Sequence, residues 1–180
     1  MSLRLGALLC LFLAACGYSV ALRLPEGKED IGVEIFVNDS DLRDLERDLY
    51  DEMSSSVLDL VRAPLVAPSR ADVVVRGRIV EYRRRAGVRN PRNRLLETGV
   101  LITVEAELWD KRNAVTLGRP ITSKVEIGYV VGEPIDPLTS IDSRTTRNRE
   151  LELNNEREAR ERALRILSEQ VVLDLFTTVN

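Results

Sequence analysis

The 180-residue chain contains no histidine. That absence excludes Ser-His-Asp and Cys-His nucleophilic catalysis and removes the commonest zinc ligand. Its two cysteines, Cys10 and Cys16, both lie near the start, so no thiol is left downstream for a disulfide or a thiolate metal site. Aromatic residues make up 4% of the chain, which leaves few rings for stacking on nucleic-acid bases. No G-x-S-x-G, S-x-x-K, P-loop or Gly-rich dinucleotide turn is present. A non-enzymatic protein that uses no cofactor or metal and binds no nucleic acid is expected. After the first apolar run there is no second one, so the remainder of the chain is not expected to cross a membrane.

That first run extends from Leu5 to Leu13, behind a start carrying the single charge of Arg4. About ten apolar residues are too few to span a bilayer, which takes roughly twenty, but they suit the apolar region of a secretory signal peptide. Leu13-Ala14-Ala15-Cys16 follows, then Gly17. A branched apolar residue, two small residues and a cysteine form a lipobox: the small side chains fit the peptidase groove, and the thiol accepts the diacylglyceryl group as a thioether. Cys10 lacks this setting because Leu9 before it is too large. Residues 1–15 are therefore expected to be a lipoprotein signal peptide, with Cys16 the lipidated residue. Residues 16–30 would form the anchor and a short tether, and 31–180 one domain. Acyl chains each gain about 0.8 kcal/mol per buried CH₂, so such an anchor is effectively permanent. Gly17 rather than Asp after the cysteine favours the outer membrane, with the domain facing the periplasm.

Charge is unevenly spread although the net value is only −3. Eight arginines stand against one acid, Glu81, between Arg76 and Arg94, whereas eight acids stand against three arginines between Asp39 and Arg62. Ile31, Val33, Ile35 and Val37 alternate as in a strand. Asn38-Asp39-Ser40-Asp41 supplies helix N-cap candidates. Leu42, Leu45, Leu49, Met53, Val57 and Leu60 then recur at helical spacing, ending before Pro64.

A second strand places Val73, Val75, Gly77 and Ile79 on one face and Arg76, Arg78, Val80 and Tyr82 on the other. A loop is expected from Arg83 to about Leu95. The third strand turns Val100, Ile102, Val104, Ala106 and Leu108 inward, and Asp110-Lys111-Arg112-Asn113 makes a hairpin turn. The fourth carries Ile121, Ser123, Val125, Ile127, Tyr129 and Val131 on one face. Gly132 to about Leu153 lacks periodicity and reads as a long, mobile connection. Asn155 and Glu158 resemble a capping box opening a last helix from about Glu156 to Phe176. In that helix Glu156/Arg160, Glu158/Arg162 and Glu161/Arg165 are spaced i,i+4. Strict alternation in the strands implies a sheet with one dry face, which two amphipathic helices suffice to cover. The predicted fold is a two-layer α+β sandwich, a four-stranded mostly antiparallel sheet with two helices on one face, in the order βαβββα.

These residues resemble a known family. The lipobox with Cys16-Gly17-Tyr18, the strand ending Phe36-Val37-Asn38 and the stretch Ala71-Asp72-Val73-Val74-Val75-Arg76-Gly77-Arg78-Ile79 are similar to the LptE family of lipopolysaccharide-assembly lipoproteins. So are Leu108-Trp109-Asp110 and the closing Glu158-Ala159-Arg160-Glu161-Arg162-Ala163. The resemblance covers essentially all of the chain after the signal peptide. Residues 134–153 are longer than the family pattern, and Asp110-Lys111-Arg112-Asn113 replaces a Gly-rich turn. The resemblance implies a subunit that plugs and helps assemble an outer-membrane β-barrel translocon (LptD-like) and binds lipopolysaccharide. A polar sheet face with Arg76, Arg78, Glu105, Glu107, Lys124 and Glu126 suits a polar barrel lumen.

Arg83, Arg84, Arg85, Arg89, Arg92 and Arg94 are the candidate lipopolysaccharide-binding residues, because guanidinium forks pair bidentately with phosphate and keep their charge at any relevant pH. Arg76 and Arg78 are second choices. The alternative function is a structural or regulatory lipoprotein of cell-wall synthesis or secretion-pore assembly. Such proteins usually have long tethers, and only about fourteen residues separate Cys16 from Ile31.

Overall fold

A computed structural model describes residues 22–91, 93, 95–131 and 141–179; Cys16, Arg92 and Arg94 lie outside them. The chain forms β1 (Ile31–Val33), β2 (Val37–Asn38), α1 (Leu45–Leu60), β3 (Val73–Arg89), β4 (Leu95–Asp110), β5 (Val115–Val130) and α2 (Ile141–Thr177). The sheet order is β1-β3-β4-β5, with β2 also on β3. β1 and β2 run parallel to β3, and the other pairings are antiparallel. Both helices cover one face, giving the α+β sandwich anticipated from the alternation, with five strands instead of four.

The extra strand arises because the expected strand from Ile31 to Val37 breaks after Val33. Phe36 turns into the core, while Ile35 and Val37 become exposed. Phe36 seats its ring against Gly77, where a Cβ would meet Phe36 Cε2 at 2.7 Å and the backbone oxygen of Glu105. The largest side chain of the segment took the buried position, and period two was lost around it.

α1 buries Leu45, Leu49, Met53, Ser56 and Val57, one face at helical spacing. It starts later than expected. Its N-cap is Asp44, at φ 64° with no side-chain cap bond. Asn38 instead ties the entry turn, donating from Nδ2 to Leu42 O at 2.8 Å and to Glu46 Oε2 at 2.7 Å. The tether is strapped to the far end of the same helix. Leu22 N donates to Leu60 O, and Arg62 N to Leu22 O, each at 2.8 Å.

The loop expected from Arg83 to Leu95 is mostly strand. β3 continues to Arg89 and β4 begins at Leu95. Arginine-rich sequence hides the apolar alternation, but the ladder to β4 holds this arm regardless of side-chain polarity. A bulge between Ile79 and Glu81 shifts the register, so Tyr82 faces the helices and not the open side as its spacing implied. The turn after β4 is as expected: Asp110 Oδ1 accepts from the backbone N–H groups of Arg112 and Asn113, at 3.0 and 3.1 Å. β5 starts six residues earlier than Ile121. Its inward positions Ser123, Val125 and Tyr129 are buried as read.

α2 begins at Ile141, where the connection was expected to continue. Among its side chains from Arg149 on, those in the core include Ala159, Ala163, Leu167, Val171 and Leu175, whereas Leu151 and Leu153 are exposed. Helical period is visible where one face is buried, and none of residues 149–158 belongs to the core. Asn155 and Glu158 therefore lie inside the helix and form no capping box. Asn155 Nδ2 reaches Val130 O at 2.9 Å, tying the helix to the end of β5. The three i,i+4 pairs are redirected as well: Glu156 turns to Arg84, Arg160 to Asp48 and Arg165 to Glu52.

Candidate functional site

The uncovered face of β3–β4–β5 carries the charges in an ordered ladder. Arg76 stands opposite Glu107 and Arg78 opposite Glu105 in the β3–β4 register. Both pairs close, Arg76 Nη2 to Glu107 Oε1 at 2.7 Å and Arg78 Nε to Glu105 Oε2 at 2.9 Å. The Arg76 guanidinium also lies 3.6 Å from the ring centroid of Trp109. Farther along, Arg85 bridges two strands, reaching Glu97 at 2.8 Å and Glu126 at 3.0 Å. Directly opposed charges of this kind contribute roughly 0.2–1 kcal/mol per pair.

Burial pushes the Glu107 carboxyl up, but Thr116 Oγ1 donating at 2.6 Å and the Arg76 guanidinium outweigh it and hold it below its ordinary value. The Arg78 guanidinium is raised, chiefly by its hydrogen bond to Glu105. The result is a polar face on which Arg76, Arg78 and Arg85 are each met by carboxylates, and which water or a polar wall can meet.

The sequence-predicted arginines do not form one patch. Alternation along β3 divides them between the two sides of the sheet. Arg83 is on the open face, 3.1 Å from Glu81, and Arg85 is committed to its two acids. Arg84 points to the helix side, where its Nε donates to Glu156 Oε1 at 2.9 Å. Arg89, at the end of β3, donates from Nη1 to Asn93 O at 2.9 Å. Arg83 and Arg89 are exposed.

Glu156, which spacing pairs with Arg160, has a role that spacing does not show. Its side chain is 12% exposed and receives Tyr82 Oη at 3.0 Å as well as Arg84. Burial, followed by the Glu156 charge, raises the Tyr82 hydroxyl well above its ordinary range, so it stays a donor. The Arg84 guanidinium is raised, first by its hydrogen bond to Glu156. One carboxylate thus fastens the extended β3 arm to α2 across 72 positions of sequence, a separation at which no local pattern gives a signal.

At the opposite end, Lys28 Nζ and Asp110 Oδ2 form a buried pair at 2.6 Å. The Lys28 contact is the main cause that brings the Asp110 carboxyl down to about 2. Glu29 N donates to Asp72 Oδ2 and Asp72 N to Asp30 Oδ1, so the tether from Leu22 onward is fixed to the sheet. Among the described residues no helix is long and apolar enough to cross a membrane. Nor do any three acidic or thiol side chains there gather as a metal site.

No curated protein matches the chain. Among solved structures, a hypothetical protein from Chlamydia trachomatis is similar at 12% identity and a TM-score of 0.50, over 85% of this chain and 98% of that one. A rare lipoprotein B from Shewanella oneidensis is similar at 14% identity and 0.44, over 83% and 96%. A minor lipoprotein from Acinetobacter baumannii is similar at 16% identity and 0.43, over 85% and 94%. At these identities the first likeness speaks to the fold alone. The sequence pattern described as LptE, lipopolysaccharide-assembly, matches residues 29–175, which is most of the chain. The chain therefore belongs to the LptE family of lipopolysaccharide assembly, a non-enzymatic family.

Proposed function

We propose that the chain is an outer-membrane lipoprotein, acylated at Cys16, that plugs and supports a β-barrel lipopolysaccharide translocon and contacts lipopolysaccharide through its arginine hairpin. The observation that carries this reading is the open sheet face, whose arginines and carboxylates pair across the strands. A face of that kind suits the polar lumen of an outer-membrane barrel. It joins a family membership already tied to lipopolysaccharide assembly.

The two ends of the domain fit separate tasks. The tether is fixed beside the Asp110 turn, and the hairpin between Arg89 and Leu95 lies at the other end of the strands. β4 has sixteen residues, and at roughly 3.3 Å each they hold the two ends about 50 Å apart. An anchor in the inner leaflet and a hairpin reaching toward the outer one are both served by that length. Arg83 and Arg89, with Arg92 and Arg94 between the strands, are the arginines to meet lipid A phosphates. Arg84 belongs to the structural clasp with Glu156.

The test is binding of purified lipopolysaccharide to a variant carrying Arg83→Glu, Arg89→Glu and Arg92→Glu. Lost affinity with an unchanged circular-dichroism spectrum supports the contact. Unchanged affinity removes the hairpin from the reading.

A further inference from the structure

The open face also carries a groove of about 540 Å³ that crosses the strands near the break between β1 and β2. Its floor is the backbone of Gly77 and Ala106, which stand opposite each other in the β3–β4 register. Ile35 and Val37 line it on the β1–β2 side and Pro120 on the β5 side. Ile35 and Val37 are each 62% exposed, although a strand break that only served to bury Phe36 gains nothing from two aliphatic side chains held in water.

The charge around the groove is not balanced. Four carboxylates line it, those of Glu34, Asp39, Glu105 and Glu107, against the two guanidiniums of Arg76 and Arg78. Glu105 and Glu107 use those guanidiniums at 2.9 and 2.7 Å. Asp39 has only a long 3.5 Å contact to the same Arg78, and Glu34 has no cationic partner among the described residues. Two acids are thus in excess beside two exposed aliphatic side chains. That combination repels phosphate, so it is the wrong surface for lipopolysaccharide, and it attracts a lysine or arginine flanked by apolar groups.

We infer that this groove docks an extended segment of a partner protein carrying lysine or arginine beside aliphatic residues. The cation meets Glu34 and Asp39, and the aliphatic side chains lie on Ile35, Val37 and Pro120. The inference rests on the reading that the open face meets a protein wall, and it names the chemistry of that contact.

The probe is a fluorescein-labelled hexapeptide alternating lysine and valine, titrated by anisotropy against the full chain. The control has glutamate in place of lysine. Two exposed-site variants accompany them, Glu34→Lys with Asp39→Lys, and Ile35→Ser with Val37→Ser. The lysine peptide should bind in a salt-sensitive way, each variant should weaken it by about tenfold, and the control should stay at baseline. Equal binding of both peptides, no binding of either, or undiminished affinity in both variants overturns the inference. Co-purification of a barrel with both variants at wild-type yield would also sink the groove, while leaving the translocon reading intact. Peptide binding as expected without any barrel would do the reverse.

Discussion

Replacing Glu156 by alanine should loosen the arm of β3 from α2. The carboxylate accepts from Tyr82 Oη and from two nitrogens of Arg84, and it is largely shielded from water. Hydrogen bonds to a charged group contribute about 1.5–3 kcal/mol, and the loss leaves the phenol of half-buried Tyr82 without an acceptor. Arg84 is 56% exposed, so water re-solvates its guanidinium and its share falls to the surface range of below about 1 kcal/mol. A net loss of about 2 kcal/mol follows.

Urea unfolding of the chain carrying Cys16→Ser, which removes the acylation site, measures that loss as a lower midpoint at unchanged slope. Hydrogen exchange should localise it, with faster exchange at Arg83–Gly87 than in the core of β4. In a double-mutant cycle, Arg84→Ala in the Glu156→Ala background should cost much less than alone. Additive effects, or a midpoint unchanged within error, would refute the clasp.

Asp110 makes stability depend on acid. Its carboxyl sits near 2 in the folded chain, below the ordinary value of 3.8, so its contribution is complete above about pH 4 and is lost as pH falls toward 2. Lys28→Met should flatten that part of a pH series of urea midpoints and lower the plateau. Gly77→Ala forces a methyl group into the Phe36 ring and the Glu105 backbone. Overpacking of this kind costs about 1–3 kcal/mol, which thermal unfolding would register as a lower midpoint. Cys16→Ser should release the chain from the membrane fraction and abolish labelling by a clickable palmitate analogue; retained label would place the anchor elsewhere.

Legibility followed burial. Val100, Ile102, Val104, Ala106 and Leu108 are legible because one side of β4 meets helices, while Thr103, Glu105 and Glu107 on the other side are polar. The stripe from Leu45 to Val57 was readable for the same reason. Ile31–Val37 misled because a broken strand still alternates in sequence while Phe36 claims the core. Tyr82 falls on the opposite side from the one its spacing implies because of one bulge, which leaves no mark in residue type. Residues 149–158 of α2 give no helical signal because none of them enters the core.

Of the candidate site, residue type was legible and allegiance was not. Arginines promise phosphate binding in sequence, but Arg84 and Arg85 are already held by carboxylates 72, 12 and 41 positions away. The groove beside Ile35 has no one-dimensional signature, since it depends on the strand break.

The central claim is best tested by affinity purification of the tagged, acylated chain from detergent-solubilised envelopes. The account predicts a large, heat-modifiable β-barrel in stoichiometric amount, together with lipopolysaccharide. Recovery of a peptidoglycan synthase, or of a ring made only of this chain, would contradict it.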